Sequence, residues 1–469
     1  MTTLVMKFGG SAVGMTIGLT QLLSIVLHEQ DRWGRLLVVV SALDGVTDNL
    51  LEAAHLAQLS NRRGYRRIVA NLRQRHLALI EALPLGVTER TALQADIDQM
   101  LFDMLTLCQS MSDSPDTVQP DMINGVVAIG EKLAARIVAA LLRQNQLRSV
   151  AIDATDLMIT DNVFGNATPN IPLTRQRITQ NLLPMLDRRI IPVITGFIGS
   201  TMTGKTTVLG RGGSDYTASV LGVCIDADEI WIWTDVDGMM SADPNQIEAA
   251  HSIPMLSYDE TAELAYFGAR ILHARMIEPL RERQIVLRVR NVFKPQQPGT
   301  LIQKTAPDVS NGLKAVTSIQ GLALTAQHSG ALAPVAALID EVLFTITGSH
   351  TDVMISSQSS AHSFLCFIIP TSAGQDAAHN LQLESEERLL EHFPDAGWSV
   401  RAVSVITAIG TQIGQQQRLI ADLLRALGST HILAMAQGPG GCSFSIVTEL
   451  EDGEQALMHL HDVILHGDQ

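Results

Sequence analysis

Leu209-Gly-Arg-Gly-Gly-Ser-Asp-Tyr216 packs three glycines, an arginine, a serine and an aspartate into eight residues. Upstream, Ile191–Ile198 reads as an apolar strand; downstream, Thr217–Val223 is small and apolar enough to run as a buried helix. Gly212 and Gly213 therefore stand where a helix begins, and there free backbone N–H groups and the positive end of the helix dipole favour an anion. Arg211 adds a planar fork suited to a carboxylate, and Ser214 is placed to cap the helix or to donate to a ligand. A tight glycine turn with a surface arginine is the plain alternative, so the weight of this corner depends on what surrounds it.

Working outward, Leu4–Phe8 is a short strand, Gly9-Gly10-Ser11 a turn, and Ile17–Leu27 has helical spacing of apolar residues. Lys7 enters that loop, where a lysine beside paired glycines can meet phosphate oxygens, although a solvated lysine at a glycine turn is the commoner meaning. Leu36–Ser41 is a continuous apolar run of the kind buried in parallel sheets, followed by a polar loop through Thr47 and a helix from about Asp48. Residues 60–145 are helical by period with an interruption at Asp113–Pro120. Within them Glu131 opens an almost wholly apolar helix, where an acid either serves a ligand or complements the helix dipole.

Between these blocks, Gly199–Thr206 satisfies the phosphate-loop pattern G-x-x-x-x-G-K-[ST] letter for letter. A phosphate loop must run directly into a helix, whereas Thr206-Thr-Val-Leu209 are strand formers followed by helix-breaking glycines. The expectation is a hairpin with its polar tip at Ser200–Lys205 and a second strand that delivers Arg211. Glu229–Thr234 is another buried strand, ending in Thr234-Asp-Val-Asp-Gly238 at a position where open α/β sheets bind ligands. Helices over Tyr258–Leu280 and a strand over Ile285–Val292 follow, and Lys294–Gly299, with two prolines and a glycine, reads as a boundary.

Beyond residue 305 the texture becomes an imperfect repeat. Gly348-Ser-His350 precedes strand Val353–Ser356 and Gln358; Gly428-Ser-Thr-His431 precedes strand Ile432–Ala436 and Gln437; second strands follow at Phe364–Ile369 and Ser443–Thr448. Two small α+β modules are expected, over 305–385 and 386–469, after a large α/β domain over 1–304.

The chain has 469 residues, 46% hydrophobic and 17% charged, with a formal charge of −15. That balance argues against nucleic acid or an anionic membrane as the main partner and leaves small molecules. No apolar run approaches the roughly 20 residues of a membrane helix, and Met1–Gly10 breaks at its glycine pair, so a cytoplasmic location is expected. Cys108, Cys224, Cys366 and Cys442 are scattered without a histidine at metal spacing, and read as buried thiols with no metal site.

Taken together, Lys7-Phe-Gly-Gly-Ser11, the Ser41–Thr47 loop, Glu131, Gly196-Phe197-Ile198, Gly210–Asp215, Trp233–Gly238, Tyr258-Asp-Glu with Phe267–His273, and Val289-Arg-Asn291 resemble the aspartokinase family in order and content. The likeness implies an amino-acid-kinase three-layer domain with a largely parallel sheet, followed by two ACT-like, ferredoxin-like modules. It implies phosphoryl transfer from MgATP, the magnesium held mainly by the nucleotide phosphates, to the side-chain carboxylate of L-aspartate. Lys7, Gly9, Gly10 and Ser11 match the phosphate side, with Lys7 and Asp215 in catalytic positions; Ser41, Thr47, Glu131, Phe197, Arg211 and Ser214 match the aspartate pocket. Thr234, Asp235, Met240, Asn245 and Arg270 match nucleotide contacts. Met240, Asn245 and Arg270 stand where relatives commonly carry tyrosine, arginine and lysine, and Ala274 follows His273 where proline is usual. Ser329, Gly330 and Asp352 match positions for an effector amino acid, lysine or threonine, and the modules imply a homodimer or higher homo-oligomer. A catalytically weakened, amino-acid-sensing subunit is the alternative.

Overall fold

A computed structural model describes residues 1–268, 271–306, 312–327, 330–347, 350–370 and 377–466. The chain divides into two compact units: residues 1–239, 254–258 and 271–305 in the first, and 240–253, 259–270 and 306–469 in the second.

Among the described residues sixteen strands carry the fold: β1 Thr3–Phe8, β2 Arg35–Val40, β3 Ser149–Ile152, β4 Ile191–Thr195, β5 Ile198–Ser200, β6 Thr206–Val208, β7 Glu229–Thr234 and β8 Met255–Ser257; then β9 Val286–Asn291, β10 Thr300–Gln303, β11 Leu313–Ala326, β12 Val353–Gln358, β13 Ser363–Ile368, β14 Trp398–Gly410, β15 Ile432–Gln437 and β16 Ser443–Glu449. In the first unit eight of them form one sheet in the order β3-β4-β2-β1-β7-β9-β10-β8. Pairing is parallel from β3 to β9, and β10 turns antiparallel against β9. The Lys294–Gly299 stretch is therefore the connection between two strands of one sheet, not a boundary: Gly299 holds φ +65° with its Cα packed on the Val289 carbonyl, which no side chain would allow.

Period-2 alternation along β1 places the site's first residue. Leu4, Met6 and Phe8 join the core that includes the long helices Arg62–Ala82, Val87–Asp113 and Ile129–Gln144. Lys7 consequently faces the other way, as does Val5. On that face helix Gly213–Cys224 packs against β1, β2 and β7, giving helix, sheet and helix layers. Residues 199–206 form the expected hairpin, β5 pairing antiparallel with β6.

The second unit is one six-stranded antiparallel sheet, order β12-β13-β11-β14-β16-β15. Both repeats read strand, helix, strand, strand, helix, as the two small modules require. Their central strands β11 and β14 pair along their length, and each serves two helix-covered cores and a third cluster on the opposite face. Leu313 and Val316 meet Ile406 and Ala408 under helices Gln417–Ala426 and Gly453–His466; Leu322 and Leu324 meet Val400 under Leu332–Thr347 and Ala377–His392. Ala242 and Ile247 join the first of these cores and Phe267 packs on the opposite sheet face, so residues 240–253 and 259–270 group with this unit although they precede residue 304. Cys108, Cys224 and Cys366 are buried thiols; Cys442 is only half-buried. Among the described residues no helix is long and apolar enough to cross a membrane.

Candidate functional site

A cavity of about 320 Å³ opens in the first unit at the carboxyl ends of β1 and β2, where β1 has β2 on one side and β7 on the other. That is the switch point at which open α/β sheets bind ligands. It brings together Lys7, Gly10, Ser41, Thr47, Glu131, Phe197, Arg211, Ser214 and Asp215 from five separate stretches of chain. Asp44 and Asp48 also line it; the only signal for them was their place in the polar loop after β2.

Lys7 Nζ lies 2.6 Å from Asp215 Oδ1, both side chains 11% exposed. The contact is an ion pair without hydrogen-bond alignment, since Asp215 Oδ1 has no hydrogen-bond partner. Any side chain at Gly10 would press within 2.9 Å of the Ala42 carbonyl, and one at Gly9 would stand in ordinary contact, 3.8 Å from Lys7 Nζ. Gly9 N–H donates to the Trp233 carbonyl at 3.2 Å, tying the end of β1 to β7. Gly10 and Ser11 begin helix Gly10–Val13, so their N–H groups have no intrahelical carbonyl to meet.

Glu131 opens helix Ile129–Gln144 and is 3% exposed. Its Oε1 accepts from Ala42 N–H at 3.2 Å, while the buried Oε2 has no hydrogen-bond partner among the described residues. Burial pushes its carboxyl up to about 8; the Ala42 hydrogen bond, its own N–H and the Lys7 charge only moderate the rise. A buried acceptor aimed at a cavity with no donor is suited to a cationic ligand group.

Arg211 sits at the corner of a turn closed by Gly213 N–H donating to the Gly210 carbonyl at 2.9 Å. Gly212, with φ +67°, occupies the left-handed position such a turn needs, and it, not Ser214, is the N-cap of helix Gly213–Cys224. Ser214 lies inside the first turn, against Gly196. Phe197, itself left-handed at φ +67°, donates its N–H to Thr217 Oγ1 at 3.0 Å and accepts at its carbonyl from Leu209 N–H at 2.8 Å.

Thr234 and Asp235 lie outside this lining, at the end of β7, where Thr234 Oγ1 donates to Asp235 Oδ1 at 3.1 Å. Asn291 Nδ2 donates to the Asp235 carbonyl at 3.1 Å and to Asp237 Oδ1 at 2.5 Å, and Lys294 pairs with Asp237 at 2.7 Å. That lysine hydrogen bond holds the Asp237 carboxyl below its ordinary range. Met240 and Asn245 belong to the second unit; Met240 bridges to Ser252, and Asn245 folds onto Asp243 at 2.9 Å. Arg270 and Ser329 fall outside the described residues. Gly330 accepts from Gln358 Nε2 at 2.7 Å, and Asp352 is exposed just before β12. Lys205, the lysine of the phosphate-loop look-alike, pairs with Asp121 at 3.3 Å at the hairpin tip.

Residues 2–291 match the model of the amino acid kinase family. The chain is 27% identical over 467 residues to bifunctional aspartokinase/homoserine dehydrogenase 1, chloroplastic, of Arabidopsis thaliana, covering 97% of this chain and 50% of that protein. It spans about half the length of the curated relatives it matches first. Among solved structures it is similar to E. coli aspartokinase III in complex with aspartate and ADP (R-state), with TM-score 0.80 and 25% identity over 99% of this chain and 100% of that one. The same enzyme in complex with lysine and aspartate (T-state) gives TM-score 0.78 and 25% identity over 98% and 99%.

Proposed function

Because the chain belongs to the amino acid kinase family, and its relatives and structural neighbours are aspartokinases, we propose that it is an aspartokinase. It moves the γ-phosphoryl group of ATP to the side-chain carboxylate of L-aspartate and gives 4-phospho-L-aspartate. The observation that carries this reading is one cavity holding a buried carboxyl with an unpartnered oxygen, Glu131, together with an arginine at a glycine corner and a lysine among bare glycines. An α-amino acid needs one partner for its ammonium and one for its α-carboxylate; Glu131 and Arg211 supply that pair, with Ser41, Thr47, Phe197 and Ser214 completing the wall.

The substrate's side-chain carboxylate is already ionised at pH 7, so no general base is required. Its oxygen attacks the γ-phosphorus, the bond from that phosphorus to the β,γ-bridging oxygen breaks, and ADP leaves with the electron pair. Such a transfer depends on positioning and charge neutralisation. Lys7 supplies the positive charge, held in line by Asp215, and the N–H groups of Gly10 and Ser11 face the transferred oxygens. Gly9 keeps side-chain bulk away from Lys7. Thr234, Asp235, Met240, Asn245 and Arg270 are the proposed nucleotide side. Magnesium, held mainly by the nucleotide phosphates, supplies further neutralisation of phosphate charge.

In this reading the reaction is the first step toward lysine, threonine and methionine, in the cytoplasm. The paired repeats act as ACT modules that join copies of the chain and bind an inhibitory amino acid, lysine or threonine, with Ser329, Gly330 and Asp352 at that site. The E. coli neighbour that holds lysine supports an effector of this class.

The test is ADP release measured with ATP and a panel of small acids, on the wild type and on Arg211→Lys. Aspartate should be the preferred acceptor, and the variant should raise the aspartate KM far more than the ATP KM, because a point charge cannot reproduce a bidentate pair. No turnover with any acid would favour a regulatory subunit instead.

A further inference from the structure

Three glycines around Arg211 leave its turn conformationally loose, since glycine adopts many backbone states at similar energy. A clamp on such a turn aims at its ligand only if the surroundings over-determine it. The side chain that grips the turn at both ends is Arg275, the second residue of helix Ala274–Arg283, which does not line the cavity.

Its Nη1 donates to the carbonyl of Leu209, the residue just before the turn, at 2.9 Å, and to Asn166 Oδ1. Its Nη2 donates to the Ala167 carbonyl at 3.2 Å. Its guanidinium carbon lies 4.9 Å from the ring centroid of Tyr216, in the helix that follows the turn. One planar group thus ties the chain before Arg211, the chain after it, and the 166–167 loop beneath. Asn166 is itself placed against the turn, because a Cβ at Gly210 would come within 2.6 Å of its Oδ1. His273, the N-cap of the same helix, completes the brace: its ring nitrogen Nδ1 accepts from Arg275 N–H at 3.3 Å, and its Cβ fills the space beside Gly212.

We propose that Arg275 is a positioning residue for substrate recognition, fixing the Gly210–Gly213 turn so that Arg211 meets the α-carboxylate of the amino-acid substrate. The proposal rests on the reading of Arg211 as that clamp. Arg275 acts through geometry: a fork with five donors in fixed directions reaches two carbonyls and an amide at once, whereas an ammonium is a point charge that cannot hold the same three directions.

The experiment is steady-state kinetics on the full chain for Arg275→Lys, Asn166→Ala, Arg211→Lys and the double variant Arg211→Lys/Arg275→Lys, each with a thermal melt. Arg275→Lys is expected to raise the aspartate KM by about 10-fold or more and to leave the ATP KM within about 2-fold. Asn166→Ala should shift the same constant by less. If Arg275 works through Arg211, the double variant loses little more than Arg211→Lys alone, because the two changes remove one function. Fully additive losses, equal rises in both KM values, or an unchanged aspartate KM in Arg275→Lys would overturn the proposal. Should Arg211→Lys itself leave the aspartate KM unchanged, the clamp reading falls and this proposal with it. A rise in Arg211→Lys alone defeats only the role of Arg275.

Discussion

Glu131 is the residue whose chemistry the fold changes most. Its carboxyl is pushed up to about 8, chiefly by burial, so near pH 7 it is largely protonated until a cation replaces the proton. Substrate binding through its carboxylate is then favoured as pH rises toward about 8 and opposed as pH falls below it. The aspartate KM should fall steadily between pH 6 and 8 in the wild type, and the profile should flatten in Glu131→Gln at a uniformly high KM. The same sign governs stability: a raised carboxyl lends stability that is complete below its ordinary value near 4.3 and lost as pH rises through about 8. Glu131→Gln should therefore melt no lower than the wild type at pH 8, a point that separates a binding role from a structural one. Lys7→Ala should lower kcat by roughly 10²- to 10³-fold with little change in aspartate KM, as expected for the loss of one preorganised charge; near wild-type turnover would remove Lys7 from the chemistry. Both residues were legible in the sequence by their places at element ends. The protonation state of Glu131 was not, because it follows from desolvation.

Among elements, the turn at Gly210–Gly213 shows what a motif can and cannot tell. Its glycines announce a corner before a helix and leave Ser214 open either as cap or as ligand donor; Gly212 takes the cap position, and its left-handed backbone closes the turn. Gly212→Ala would force a Cβ into a left-handed residue and within 2.4 Å of His273 Cβ. It should destabilise the chain by about 1–3 kcal/mol in urea unfolding and raise the aspartate KM; an unchanged midpoint and KM would mean that the turn tolerates rearrangement. The hairpin at 198–208 makes the complementary point. Its letters satisfy a phosphate-loop pattern, yet β-branched residues after Lys205 turn the chain into a strand, and local propensity decided correctly. Arg275 carried no sequence signal, since its partners lie 66 and 109 positions away.

In the molecule as a whole, the second unit is where long-range packing dominates. Lys314, at the start of β11, pairs with Glu260 at 2.8 Å, the two side chains 1% and 2% exposed, and Thr411 Oγ1 donates to the same Glu260 Oε1 at 2.8 Å. Removing one partner leaves the other charge buried, so Lys314→Met alone should destabilise by about 3–5 kcal/mol, while Lys314→Met with Glu260→Leu should recover much of that loss. Thermal unfolding of the two variants decides it, and equal losses for single and double changes would mean that the pair is not the source. Control belongs to this scale too. If Asp352 neutralises an effector ammonium, Asp352→Ala should abolish inhibition by lysine or threonine without lowering uninhibited activity. Identical dose-response curves for both proteins would leave Asp352 a solvated residue at the start of a strand.

Local signals specify strands β1, β2, β4, β7 and β9, the hairpin at 198–208, the two repeats beyond residue 305, and most of the cavity's side chains, because apolar periodicity and glycine placement act over a few residues. Tertiary packing alone sets the two repeats in one sheet, gives β11 and β14 a part in three cores each, and joins residues 240–253 and 259–270 to the second unit. Packing also ties the Gly9 N–H to the Trp233 carbonyl and brings Arg275 onto Leu209 and Tyr216, on either side of Arg211. These outcomes depend on burial and hydrogen bonding between segments far apart in the chain, and such pairings leave no period or spacing in a single sequence.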